Sequence, residues 1–117
     1  MKKFLLALVL ISFGAGAFAA VENPMEAMFK TWYGVKIKKV VKYWGQPTDI
    51  EYDQSQKKYK WLEHSTRYIP GTQYQKRVAC ERVLIVDVSG RVVFGKYNGT
   101  GCPFTTEGVK QWINPEF

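Results

Sequence analysis

The sequence predicts an α+β domain in which two N-terminal helices pack on one face of a three-stranded antiparallel β-meander, a two-layer ααβββ order. Three observations carry this prediction. Apolar residues recur at three-and-four spacing between Met25 and Trp44. From Lys57 onward the period changes to two. Two turn signals, Pro70-Gly71 and Asp87-Val88-Ser89-Gly90, then separate the extended runs.

Ahead of this domain, Met1-Lys2-Lys3 precede an uncharged apolar run from Phe4 to Phe18, and Ala17-Phe18-Ala19 is a small-x-small cleavage signal. That is the pattern of a signal peptide over residues 1–20, cleaved after Ala19 or Ala20 and leaving residues 21–117 as a single domain. An uncleaved anchor is the alternative, since Phe4 to Val21 just spans a bilayer, but no basic stop-transfer residues follow. With no cysteine near the cleavage site, attachment through acyl chains is not expected. The expected location is the periplasm or the cell exterior.

The chain holds 17 basic and 10 acidic residues, and loss of Lys2 and Lys3 with the signal leaves a charge of about +5. A positive protein outside the cytoplasm is attracted to anionic lipid, cell-wall polymer or nucleic acid, although such a charge also simply serves solubility. A domain of this size buries roughly 60–65% of its unfolded surface, so its core is marginal and a staple is expected. Cys80 and Cys102 are the two cysteines. In an oxidising compartment they are expected to form a disulfide worth about 3 kcal/mol. Two thiols and a single His64 fall short of a four-ligand zinc site without carboxylates, and the spacing is far from C-x-x-C.

Each element follows from local pattern. Met25, Met28, Phe29 and Trp32 after Pro24 mark a short amphipathic helix within 22–33, which Tyr33-Gly34 ends. Ile37, Val40, Val41 and Trp44 form the apolar stripe of a second helix, closed by Gly45 and Pro47. Asp49 to Gln56 is polar and reads as a loop. Tyr59 and Trp61 alternate with Lys58 and Lys60 as a half-buried strand. Symmetric pairing about Pro70-Gly71 would set Trp61 opposite Cys80. Val83-Leu84-Ile85-Val86 reads as a central strand, and Arg91 to Tyr97 as the third. Asn98-Gly99-Thr100-Gly101 bends the chain so that Cys102 can return toward Cys80. Val109, Trp112 and Ile113 after Thr105-Thr106 predict a short terminal helix.

Catalytic patterns are weak. His64, the only histidine, lies in an expected strand and reads as a surface residue. Asp49, Glu51 and Asp53 alternate in one segment but lack the glycine and terminal bidentate acid of a calcium loop. There is no Gly-rich phosphate loop. Neither catalytic residues, nor a metal, nor a cofactor is expected.

Two surfaces remain. Lys36, Lys38, Lys39 and Lys42 make a basic helix, either a solvated face or an attractor of anionic lipid or polymer. The hairpin tip from Arg67 to Arg77 carries Arg67, Tyr68, Tyr74, Lys76 and Arg77, the composition of a binding hot spot. Tyr68 and Tyr74 could equally pair across strands and stabilise the turn.

Gly34-Val35-Lys36-Ile37-Lys38-Lys39-Val40 with Trp44-Gly45-Gln46-Pro47 resembles the G-x-x-x-x-x-V-x-x-x-[apolar]-G-x-P signature of the SmpA/OmlA (BamE-like) family of small bacterial envelope proteins. Tyr59-x-Trp61 and Val86-Asp87-x-x-Gly90-Arg91-Val92 follow the same plan, so the resemblance covers about residues 22–102. It implies the ααβββ order and a protein that works through its surfaces without cofactors. The chain departs from the pattern in its Cys80/Cys102 pair and in Val35-Lys36, where the family commonly starts its helix with Ser or Thr.

The expected function is that of a non-enzymatic exported protein that binds envelope protein partners in outer-membrane assembly or integrity, using Arg67, Tyr68, Tyr74, Lys76 and Arg77. Anionic lipid or polymer would meet the lysine helix, and nucleic acid is the least favoured partner. The alternative is a secreted or periplasmic inhibitor that inserts the same hairpin tip into an enzyme's cleft.

Overall fold

Asn23 opens the first helix, α1 (Pro24–Lys30), by accepting the N–H groups of Met25 and Glu26 on its side chain. This cap stabilises the helix by about 1 kcal/mol. The computed structural model describes residues 23–117, and the expected signal peptide lies outside the described residues. Met25, Met28 and Phe29 form the buried face of α1, with Trp32 buried one turn further on. The helix is shorter than its periodicity predicts, because the backbone beyond Thr31 leaves the helical ladder for the sheet. The Gly34 N–H donates to Val92 O at 2.8 Å, and Val35 O accepts the Val92 N–H at 2.9 Å.

The second helix, α2 (Ile37–Trp44), has Lys36 at its N-cap with no side-chain cap. The turn after Val86 supplies an acceptor instead: the Ile37 N–H donates to Gly90 O at 2.8 Å. Ile37 and Val40 are buried, while Val41 and Trp44 are half-buried against the same core. Gly45 ends the helix at φ 89°, a left-handed conformation that a glycine reaches without a Cβ penalty.

Four antiparallel strands follow, β1 (Asp49–Asp53), β2 (Gln56–Tyr68), β3 (Gln75–Val86) and β4 (Val92–Asn98), in the order β1-β2-β3-β4. The α+β class and the meander are as the sequence predicts, but the strand count is four. Asp49–Asp53 is a strand where a loop is expected. Its polar residues pair with a lysine-rich partner, Asp49 opposite Lys60 and Glu51 opposite Lys58, and Glu51 accepts from Lys60 Nζ at 2.7 Å. A fully exposed edge strand needs only such cross-strand pairs, not an apolar pattern.

The register of the central hairpin also differs. Pro70-Gly71 does occupy a tight turn, with Gly71 at φ 79° and the Thr72 N–H on Ile69 O at 3.0 Å. That turn sits off-centre in a six-residue loop closed by the Ile69 N–H on Tyr74 O at 2.9 Å. Pairing therefore slips by two residues: Cys80 faces Glu63, and Trp61 faces Arg82. A two-residue slip keeps every side chain on its expected face.

Asp87 shapes the β3–β4 turn, its Oδ1 accepting from Ser89 N–H, Ser89 Oγ and the Arg91 N–H. These bonds, the Ser89 hydroxyl first, hold the Asp87 carboxyl below its ordinary value. The chain then closes over the core through α3 (Thr106–Val109) and a 3-10 turn, Lys110–Trp112. This third helix adds to the two-helix layout. Trp112 O accepts both the Trp32 and Trp44 indole N–H groups, at 2.7 and 3.0 Å, and the Trp61 indole donates to Gly45 O at 3.0 Å. Each of these indoles thus finds the polar partner that burial demands.

Candidate functional site

Neighbouring strands cover only half of the central hairpin. β1 pairs with β2 no further than Lys60, and β4 pairs with β3 no further than Glu81. Leu62–Tyr68 and Gln75–Cys80 therefore leave the sheet as a two-stranded ribbon, roughly 23 Å long at the usual rise per residue.

Three links fix the ribbon's root. Cys80 and Cys102 form the expected disulfide, with Cα atoms 4.6 Å apart. The Gly101 N–H donates to Ala79 O at 2.9 Å. Arg82 makes an ion pair with Glu63 from a fully buried position. Its guanidinium carbon lies 4.0 Å from the Trp112 ring centroid and 4.6 Å from that of Trp44. Burial pushes the Arg82 pKa down to about 10, against the opposing pull of the Glu63 carboxylate. Sequence reasoning passed over this residue. Its position was nonetheless readable: Cys80, Arg82, Leu84 and Val86 alternate along one strand, so a charge lies in an inward row.

The ribbon sorts the predicted tip residues by face. Arg67 stands directly opposite Lys76 on the face that continues Glu63 and Cys80. Thr66 faces Arg77 and Tyr68 faces Gln75 on the other side. Tyr68 and Tyr74 do not pair, because Tyr74 lies within the loop. They are 67% and 73% exposed, and Ile69 beside them is 41% exposed. No acidic residue occurs from His64 to Ala79. Two like charges directly opposite each other destabilise a hairpin, so this arrangement has no rationale in stability.

The other candidates sit elsewhere. Lys36 Nζ donates to Ser89 O, Lys39 pairs with Glu116, and Lys42 lies 5.8 Å from the Tyr43 ring centroid, while Lys38 is exposed. The lysine helix is thus partly neutralised by the C-terminal segment, and Lys39 holds the Glu116 carboxyl below its ordinary value. His64 is exposed on the ribbon opposite Ala79. Asp49, Glu51 and Asp53 line one face of β1, and the Lys60 bond lowers the Glu51 carboxyl. No group of three or more metal-ligating residues occurs among the described residues. None of the described helices is long and apolar enough to cross a membrane. No family model, curated protein or solved structure matches this chain.

Proposed function

We propose that the chain is a non-enzymatic exported protein whose β2–β3 ribbon binds a protein partner of the bacterial cell envelope, in outer-membrane assembly or integrity. The observation that carries this reading is the ribbon itself, which presents exposed Tyr68 and Tyr74 beside Arg67, Lys76 and Arg77 on a base stapled by Cys80–Cys102. Tyrosine and arginine anchors are the usual hot-spot residues, and a fixed root lowers the entropy lost on docking. The resemblance of Gly34–Val40 and Trp44–Pro47 to the SmpA/OmlA signature supports the envelope setting. The exposed lysines of α2 offer a secondary contact to anionic lipid or polymer.

The ribbon's narrowness favours one second reading, an inhibitor that fills an enzyme's cleft with the same tip. A photo-crosslinking residue at Tyr68 or Tyr74 in living cells tests both. Adducts with outer-membrane proteins or assembly components support the first reading, and a single soluble enzyme supports the second. Absence of any adduct overturns the tip as the binding surface and moves attention to the lysine helix.

A further inference from the structure

The β2 side of the ribbon is an unfinished strand edge. Where β1 stops, Thr48 adds two bonds: its N–H donates to Lys60 O at 2.7 Å, and its Oγ1 accepts the Leu62 N–H at 3.0 Å. These bonds fix the direction of the β2 backbone. Even-numbered residues turn N–H and C=O toward the β1 side, and odd-numbered residues turn toward β3. The far end agrees, since the Ile69 N–H bonds across the loop to Tyr74 O. The backbone groups of His64, Thr66 and Tyr68 therefore face outward, beyond the last residue that β1 covers. The opposite edge is partly closed, because Ala79 O is taken by the Gly101 N–H.

We propose that an extended, acidic segment of a partner protein pairs with this edge as an added strand, in line with β1. The inference rests on the reading that the ribbon binds a protein partner, and it names the mode and the chemistry of that partner. Main-chain bonds to His64, Thr66 and Tyr68 supply affinity without sequence preference. Charge selects the occupant. Arg67 and Lys76 lie on one face of the ribbon and Arg77 on the other, with no acidic residue from His64 to Ala79. Carboxylates on one face of an added strand lie directly or diagonally across from Arg67 of β2, while Lys76 and Arg77, one strand further on β3, add to the positive field on the two faces. A second copy of this chain would bring Arg67 and its neighbours against their own like charges, the usual guard against edge-to-edge association.

A blocked peptide of about nine residues that alternates glutamate with threonine is the probe, used with the full chain. At roughly 1 mM it is expected to slow hydrogen exchange at the amides of His64, Thr66 and Tyr68 by tenfold or more. The same peptide methylated on alternate backbone nitrogens loses the edge bonds and is expected to bind at least about tenfold more weakly. Thr66→Pro is expected to do the same, because the Thr66 N–H faces outward and its loss leaves the ladder to β3 intact. The methylated peptide runs the test on the unaltered protein, so a ribbon distorted by Thr66→Pro does not decide it. Equal binding of the two peptides, or unprotected edge amides, overturns the added strand. If the cellular adducts at Tyr68 or Tyr74 persist in that case, the tip remains the binding surface. If the crosslinker at Tyr68 or Tyr74 yields no adduct in the protein that keeps Thr66, that broader reading falls as well.

Discussion

The guanidinium carbon of Arg82 lies 4.0 Å from the centroid of the Trp112 ring, joining the middle of the sheet to the last helical turn of the chain. The Trp44 ring approaches the same guanidinium, and Glu63 at the foot of the ribbon is its ion-pair partner. One buried charge thus touches α2, the C-terminal turn and the ribbon root. Its Nε and Nη1 are buried without a hydrogen-bond partner among the described residues. The rings and Glu63 offset part of that desolvation.

Arg82→Ala is therefore expected to destabilise the domain by about 3 kcal/mol, through lost packing and the cavity left between indoles. Arg82→Met fills the space without a buried charge and is expected to cost less than about 1 kcal/mol. Urea unfolding of the two variants checks the pair. A methionine variant as unstable as the alanine variant would show that the charge itself, and not the volume, holds the layers.

The disulfide closes a loop of 22 residues in sequence separation. Replacing Cys80 and Cys102 together by serine is expected to cost about 3 kcal/mol, a loss that reduction of the native protein should reproduce. Thermal unfolding with and without reductant measures it.

Gly95 is buried under Phe29, and a Cβ added there would come within 2.5 Å of the Phe29 ring carbon Cγ. Gly95→Ala is expected to destabilise by about 2 kcal/mol as α1 is pushed off β4. Phe29→Leu in the same chain should recover part of that loss, read by denaturant midpoint.

Asp87 gives a pH signature. Its carboxyl is held below its ordinary value of 3.8 by the Ser89 hydroxyl first and then by the Arg91 N–H. A depressed folded-state pKa stabilises the fold above the unfolded value, and that stability is lost as the pH falls through the folded one. Asp87→Asn should lower the thermal midpoint at pH 7 by a few degrees, with the difference shrinking as the pH falls below 3.8. A difference that stays constant with pH would show that the charge plays no part in the turn.

Tyr68 and Tyr74 are exposed, so alanine at either is expected to change stability by less than about 0.5 kcal/mol. The same variants should lose the partner adduct captured from a crosslinker at the other tyrosine. Unfolding midpoints and adduct yield separate these two roles.

Local pattern carried much of this architecture. The α2 stripe, Gly45 as its terminator, the Pro70-Gly71 turn and the Asp87–Gly90 turn are each written in a few consecutive residues. The alternation of Tyr59 and Trp61 with Lys58 and Lys60 in β2 was equally legible, and Trp61 and Cys80 stay on one face because alternation survives the two-residue slip. β1 was not legible. Asp49–Asp53 has no apolar face against the core, and only the lysines of β2 across from it make it a strand.

The sequence by itself determined the helices, the turns and the pairing of its two cysteines, since each depends on short-range geometry or on having a single partner available. Tertiary structure decided how far β1 and β4 reach along the central hairpin. That reach leaves Arg67, Tyr68, Tyr74, Lys76 and Arg77 on a projecting ribbon, and it places Arg82 among indoles from distant elements. The physical reason is that strand overlap and buried-charge solvation are set by residues far apart in the chain, which meet only when the layers close.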